Sequence, residues 1–574
     1  DRIYATITGV GTSSDGRFKS VYAPRPAGQA MAVERAYEDA GYAPSTVGLI
    51  EAHGTGTAAG DPVEFTSMQM VFGKDNPNKQ HIALGSIKSQ VGHAKAAAGA
   101  VGMVKAVLGL HHKVLPPTIN VEQPNAKFDI KNSAIYINTE ARPWLRNGHP
   151  RRAGVSAFGF GGINVHIALE EYAGNKPKDY RIHQPYKAVL LSEQNPDQLL
   201  ETCKNTIADL EGEGSQLAFL NLIKASKNSI SEQSFARIGF VATDIEECIS
   251  LLQTSIQMLQ TKHEQWNHPK GIYYRPNGID AGSKDVVALF AGQGSQYVGM
   301  GKELTNAFPE LNEAFQQTDK LFEQSGEPAL SKTIFPIPVF SKEEKAAQQK
   351  ALTLTKSAQP AIGTLSMGQY KILQQAGFKP SFTAGHSFGE LSALWAGGVY
   401  DDQTFLALAK TRGAVMSIEN PNADKGSMLA VEASQEQVQK AIANMPGVSI
   451  ANVNSNSQII LGGSTQAIGN AEQQLKNQGF AVIPLPVSAA FHTDFVKHAQ
   501  EPFSRFIAAQ QFNKPQIPIY SNTSGEQFPE DPNAIKAVLE GQILKPVLFK
   551  NQIENIYHAG GRVFVEFGPK GVLT

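Results

Sequence analysis

Short apolar runs closed by glycine or polar turns alternate along this chain with longer stretches in which apolar residues recur every three or four positions. That is the pattern of strands exchanging with helices. Residues 1–172 carry strand-like runs ("IYATITGVGT", "VGLIEAHGT", "HIALGSI") between helices of small residues and end in the glycine-rich "AFGFGGINVHIALEE". The polar, lysine- and proline-containing "YAGNKPKDYRIHQPYK" (172–187) breaks the pattern and reads as a linker. Two strand-then-helix cassettes come next, from "AVLLSEQNPDQLLETCKNTIADL" through "RIGFVATDIEECISLLQTSIQML", enough for a small α/β domain over 173–285. A new unit opens at 286 with "VVALFAGQGSQ" and runs to 574. Within it, 426–487 reads strand, helix, strand, strand, helix, strand, the order of a ferredoxin-like subdomain inserted in a larger host. The fold class expected is therefore α/β and multidomain.

Length supports this division, since 574 residues exceed a single typical domain several-fold. Hydrophobic residues at 41% and charged residues at 18% are values of a globular chain. The most apolar stretch, "AKAAAGAVGMVKAVLGL" at 94–110, is interrupted by Lys105, which argues against a membrane span. A net charge of -1 offers no broad positive field for nucleic acid. Two cysteines, Cys203 and Cys248, make no disulfide framework, and a cytoplasmic location is expected. The chain begins at Asp1 without a start methionine or signal peptide and is read as a fragment.

The chemistry concentrates in "TAGHSFGELSALWAGG" at 383–398. Gly-x-Ser-x-Gly lifts a serine hydroxyl clear of the backbone when a strand feeds it and a helix leaves it, and "FKPSFTAG" and "ELSALWAGG" fit those two roles. A helix cap is the competing reading of Ser387. A serine nucleophile needs a base, and His492 in "PVSAAFHTDF" is the better candidate than His386, its immediate neighbour. The loop "LFAGQGSQYVGMG" (289–301) lacks the Gly-Lys-Ser/Thr of a phosphate loop, but Gln293 between two glycines could bring donors to an oxyanion beside the N–H of Phe388. In the front unit, "EAHGTGTAAGDPVE" and "GSIKSQVGHAKAAAG" present two histidines, His53 and His93, in loops of small residues. They lack carboxylate or thiolate companions at ligand spacing, so no metal is expected.

"GQGSQ", "GHSFGE", "KTRGAVM", "NVNS", "SAAFH", "QILKPVLF" and "VEFGPKGVLT" occur in one order over residues 286–574. This part resembles the malonyl-CoA:acyl carrier protein acyltransferase domains of type I polyketide and fatty acid synthases, with an α/β-hydrolase-like core. The resemblance implies that Ser387 accepts the acyl group with His492 as its base. It puts Gln293 and the Phe388 amide at the oxyanion, the backbone carbonyl of Gln542 behind the histidine, and Arg412 on the malonyl carboxylate. Phe491 goes with malonyl over methylmalonyl, and His386 lines the substrate site. A guanidinium grips a carboxylate through two charge-assisted hydrogen bonds, and an acyl group lacking the acid would strand it. An acid on its own helix is the other partner open to Arg412.

Residues 1–172 resemble the C-terminal half of a β-ketoacyl synthase of the thiolase-like fold. Here the resemblance implies condensation histidines at His53 and His93 with Lys88 beside them. The family's nucleophilic cysteine belongs to the other half, so this chain is not expected to condense acyl groups alone. The whole order, with "YAPRPAGQAMAVERAYEDAGY", is most like synthases of polyunsaturated fatty acids. The implied reaction moves malonyl from the CoA thioester to the phosphopantetheine thiol of an acyl carrier protein on the same polypeptide. No cofactor is bound to the chain itself, and the complete synthase would form a homodimer. Two rivals stand beside this reading. A serine hydrolase or thioesterase of the α/β-hydrolase type would want an acid between its serine and histidine in the chain, an interval in which Asp424 lies, and a His-Gly-Gly oxyanion loop, which is absent. A non-catalytic scaffold would want no chemistry at all.

Overall fold

The computed structural model describes residues 3–17, 23–146, 148–174, 186–228, 232, 234–278, 285–417 and 424–573. Most of the expected linker, 175–185, lies outside the described residues. Two compact units are present, one made of 1–181 with 284–574 and the other of 182–283.

In the front of the larger unit, six strands order as Ala5–Ser14, Ile163–Glu171, Arg152–Phe158, Leu49–Glu51, Ile82–Gly85 and Ile135–Ile137. The first three pair antiparallel and the rest parallel. Leu49 and Ile50 are both fully buried but belong to different apolar clusters, so the sheet is covered on both faces. That is why such strands read as continuous apolar runs. Lys105 lies on the helix Ala98–His112, its ammonium 3.0 Å from the equally buried carboxylate of Glu51. Among the described residues no helix is long and apolar enough to cross a membrane. The front region is clasped to the rear of the same unit by Arg142, which donates to the Tyr136 hydroxyl (2.6 Å) and to the carbonyl of Phe335. Lys302 also meets Glu140 at 2.7 Å.

The unit 182–283 has an antiparallel sheet ordered Trp266–His268, Ile272–Arg275, Ala236–Ala242, Lys187–Glu193. Its helices Pro196–Glu211 and Ile245–Thr261 start at Asn195 and Asp244, whose side chains accept the backbone N–H three residues on. Cys203 and Cys248 are fully buried there, and burial pushes both thiols up to about 12, so neither is a thiolate at neutral pH.

The rear of the larger unit is built on three parallel strands, Phe382–Gly385, Val286–Phe290 and Val563–Phe567, with Val286–Phe290 in the centre. Ala288 and Phe290 face one apolar cluster, Val287 and Leu289 another. After the helix Asp402–Val415 the chain enters a second, antiparallel sheet ordered Val448–Val453, Ile459–Gly463, Ser427–Glu432, Ala481–Pro484. It is flanked by the helices Gln435–Ile442 and Thr465–Asn477. Arg412 thus sits on the last helix before this excursion and His492 shortly after the return.

Candidate active site

The strand Phe382–Gly385 ends in a turn whose apex, Ser387, has a left-handed backbone (φ 51°), and the helix Gly389–Ala396 leaves it. Both flanking glycines are demanded by contact. A Cβ on Gly385 would stand 2.1 Å from the Gly389 carbonyl, and one on Gly389 would stand 2.0 Å from the Phe290 carbonyl oxygen. The strain at Ser387 is held from two sides. Its N–H donates to Asn522 Oδ1 (2.6 Å), and its carbonyl accepts from Gln542 Nε2 (2.8 Å). Asn522 also donates its side-chain amide to the Gly385 carbonyl and its backbone N–H to Glu390 (3.0 Å). It reaches the elbow because Ile519 bridges Thr383 in parallel, which lays the segment 518–522 along the strand that feeds the turn.

Ser387 Oγ stands 2.6 Å from His492 Nε2. On the far side of the ring, Nδ1 faces the carbonyls of Lys545 (3.1 Å) and Gln542 (3.3 Å). A carbonyl can only accept, so Nδ1 carries the proton and Nε2 presents its lone pair to the hydroxyl. The expected carbonyl of Gln542 is therefore joined by a second, slightly closer one. No carboxylate backs this histidine among the described residues. Asp424 is exposed and spent on Thr465 (Oγ1 at 2.6 Å) and the Gly426 amide (2.9 Å). His492 is 3% exposed, and burial, aided by the charge of Arg412, lowers its pKa to about 3. Its own backbone is left-handed (φ 60°).

Arg412 is wholly buried. One guanidinium nitrogen, Nη2, donates to Gln542 Oε1 (3.1 Å), while Nε and Nη1 have no hydrogen-bond partner among the described residues. No acid on its own helix pairs with it. Asp402 at that helix's start is bonded to Lys371 and Trp395 instead. Burial draws the pKa of Arg412 down to about 10 and the Glu390 carboxylate works against that, so it stays charged at neutral pH. Glu390 itself is raised to about 7 by burial. Buried donors without acceptors cost of order 1–3 kcal/mol each, and a guanidinium so placed can take an anion as acceptor.

The loop after Val286–Phe290 passes directly over the elbow, since a Cβ on Gly292 would meet the His386 carbonyl at 2.4 Å. Gln293 lies there, its amide shared with Thr355 (3.3 Å) and Gln359 (3.3 Å). Phe388 precedes the first turn of the helix, where an N–H has no intrahelical acceptor. Phe491, adjoining the histidine, is 8% exposed in the main apolar cluster. The His386 ring turns away from the hydroxyl, with Nε2 2.8 Å from Asn454 Oδ1 and its face edge-on to Phe549. Burial lowers its pKa as well.

In the front region the His53 and His93 rings lie 5.4 Å apart, edge to face. Lys88 donates its ammonium to the His53 carbonyl. Burial, then the charges of Lys88 and His93, lower His53 to about 4, a neutral ring at physiological pH. Glu64, which sequence reasoning passed over, takes the backbone N–H groups of His53 (2.7 Å) and Gly54 (2.8 Å) and so fixes this loop. A cavity of about 350 Å³ opens beside it, lined by Gly54, Thr55, Glu64, Lys88 and Thr118 among others.

Asn522, Glu390, Lys545 and Asn454 were also not anticipated as parts of the rear site. Asn522 hides in "YSNTSG" as a turn residue, and Glu390 reads as an ordinary first-turn acid. Lys545 contributes only a backbone oxygen, for which side-chain identity carries no signal.

Comparison with known proteins identifies the families along the chain. Residues 4–122 match the β-ketoacyl synthase C-terminal domain, 124–241 the ketoacyl-synthetase C-terminal extension, and 287–574 the acyl transferase domain. The whole chain is 35% identical to a segment of a polyunsaturated fatty acid synthase protein of Thraustochytrium sp. and 30% identical to one of polyketide synthase GfsB of Streptomyces halstedii. It spans only 21% and 10% of those two relatives. The solved acyl transferase domain of ZmaA superposes with a TM-score of 0.56 at 22% identity, over 68% of this chain and 84% of that one, which is a likeness of fold. A serine elbow answered by a carbonyl-backed histidine, in a chain matched along its rear half by one family and ahead of it by another, makes this protein a member of the acyl transferase domain family preceded by the C-terminal part of a β-ketoacyl synthase.

Proposed function

We propose that the rear domain moves a malonyl group from malonyl-CoA to the phosphopantetheine thiol of an acyl carrier protein, as one station of a polyunsaturated fatty acid or polyketide synthase. The observation that carries the substrate class is Arg412, a fully buried cation whose Nε and Nη1 have no hydrogen-bond partner among the described residues, linked through one side chain to the serine and near enough to His492 to depress its basicity. A terminal carboxylate supplies an acceptor to that guanidinium, whereas acetyl or a long alkyl chain supplies none.

In this reading Ser387 Oγ attacks the thioester carbonyl as His492 Nε2 takes its proton. The oxyanion is held by the Phe388 N–H and the Gln293 amide, and the CoA thiolate leaves with the proton from Nε2. The carrier thiol then runs the same steps in reverse on the seryl ester. His53, His93 and Lys88 are the condensation set of the β-ketoacyl synthase part, and His386 and Phe491 shape the acyl pocket. The strand order of the second sheet supports its reading as a ferredoxin-like subdomain. A carrier domain and a second synthase copy on a longer polypeptide are the partners this reading entails.

Incubation with malonyl-CoA and intact-mass measurement tests the assignment. A single malonyl adduct mapping to Ser387 is expected, and no adduct, or one elsewhere, contradicts it. The base leaves a second signature. His492 is held far below its ordinary 6.5, so the neutral form persists as pH falls through that value. His492 is expected to add no acid limb to the kcat/KM for malonyl loading between about pH 5 and 8. Glu390, raised to about 7, is the other group that titrates there, so an acid limb near 6.5 that persists in Glu390→Gln would show a histidine of ordinary basicity at work.

A further inference from the structure

One residue touches the serine, its histidine and the buried cation of this site. Gln542 closes the helix Pro532–Gln542 and is 1% exposed. Its backbone carbonyl faces His492 Nδ1 (3.3 Å), its Nε2 donates to the Ser387 carbonyl (2.8 Å), and its Oε1 accepts from Arg412 Nη2 (3.1 Å). The amide has no alternative pose. Turned over, it would set donors against the guanidinium and an acceptor against the serine carbonyl.

The bond to Oε1 is the only hydrogen bond that the Arg412 side chain makes among the described residues. A buried arginine has several rotatable bonds, and the Glu390 carboxylate acts on its charge from nearby. That one hydrogen bond orients the remaining N–H groups on Nε and Nη1, and the same amide fixes their direction relative to the serine. We propose that the Gln542 side chain is a positioning residue for acyl selection, registering the Arg412 guanidinium to Ser387 so that the terminal carboxylate and the thioester carbon of one acyl group meet both at once. The inference rests on the malonyl reading above and goes further, since it assigns discrimination to an uncharged side chain whose backbone alone serves the base.

Methionine matches glutamine in length and keeps the backbone carbonyl while removing the amide's bonds to Arg412 and Ser387 and its interaction with Glu390. Wild type, Q542M and Q542E are loaded with malonyl-CoA and with acetyl-CoA in single turnovers, read as the mass adduct on Ser387. In Q542M the malonyl-to-acetyl rate ratio is expected to fall about 10- to 100-fold, as for loss of a hydrogen bond to a charged group. Q542E, closer in shape to glutamine, is expected to load malonyl more slowly than Q542M, because its carboxylate claims the guanidinium in place of the substrate. A ratio in Q542M within about threefold of wild type, or Q542E outpacing Q542M with malonyl, would show a side chain that merely fills space and would overturn the proposal. Should Q542M not fold, Q542N, which keeps an amide one methylene short, carries the same ratio test. Absence of a malonyl adduct on wild type would instead remove the malonyl reading, so the two failures are told apart by the wild-type reaction.

Discussion

Ser387→Ala is expected to abolish the malonyl adduct and to lower acyl transfer to a carrier thiol by at least about a thousandfold. No other hydroxyl can take over, because the lone pair of His492 Nε2 is aimed at this one oxygen from 2.6 Å. Alanine retains the Cβ and the left-handed backbone, with the contacts of the Ser387 N–H and carbonyl to Asn522 and Gln542 intact, so the thermal midpoint should stay close to that of wild type. Intact mass after malonyl-CoA, paired with a melting curve, checks both halves of the statement. An undiminished adduct would move the nucleophile elsewhere.

The second large effect belongs to Arg412. Arg412→Met is expected to slow malonyl loading by about 10²- to 10⁴-fold, since truncating one partner of a buried charge pair costs about 3–5 kcal/mol. Acetyl loading should hold or rise. Acetyl never supplied an anion, and removing the buried cation lifts one of the two main causes that hold His492 near 3. Parallel labelling with the two CoA esters decides the matter. Equal losses on both would mean that the guanidinium serves the fold and not the acyl carboxylate.

The features legible in the sequence were those whose physics is local. An elbow needs a strand, a serine between two small residues and a helix, all in one short stretch, and the clash Gly385 avoids is with Gly389 four residues on, although the one Gly389 avoids is with Phe290 on the neighbouring strand. Arg412 and His492 were found because separate short motifs recurred in order; the 105 residues between Ser387 and His492 are spanned by topology, which no periodicity records. The clamp on the elbow was illegible for the same reason. Asn522 comes from a segment 135 residues away that bridges the strand at one point, and a lone asparagine in a turn has many uses. The carbonyl of Lys545 could not be read at all, because a backbone oxygen is present whatever the side chain.

The left-handed backbones at both Ser387 and His492 carry an implication for how such domains age. Each conformation costs a side-chain-bearing residue about 1–3 kcal/mol, and glycine would hold either one with little steric penalty. Mutational drift to glycine at either position therefore relieves the chain while removing a residue proposed to do the chemistry. Copies that have fallen silent by that route are expected to be sturdier than those still at work.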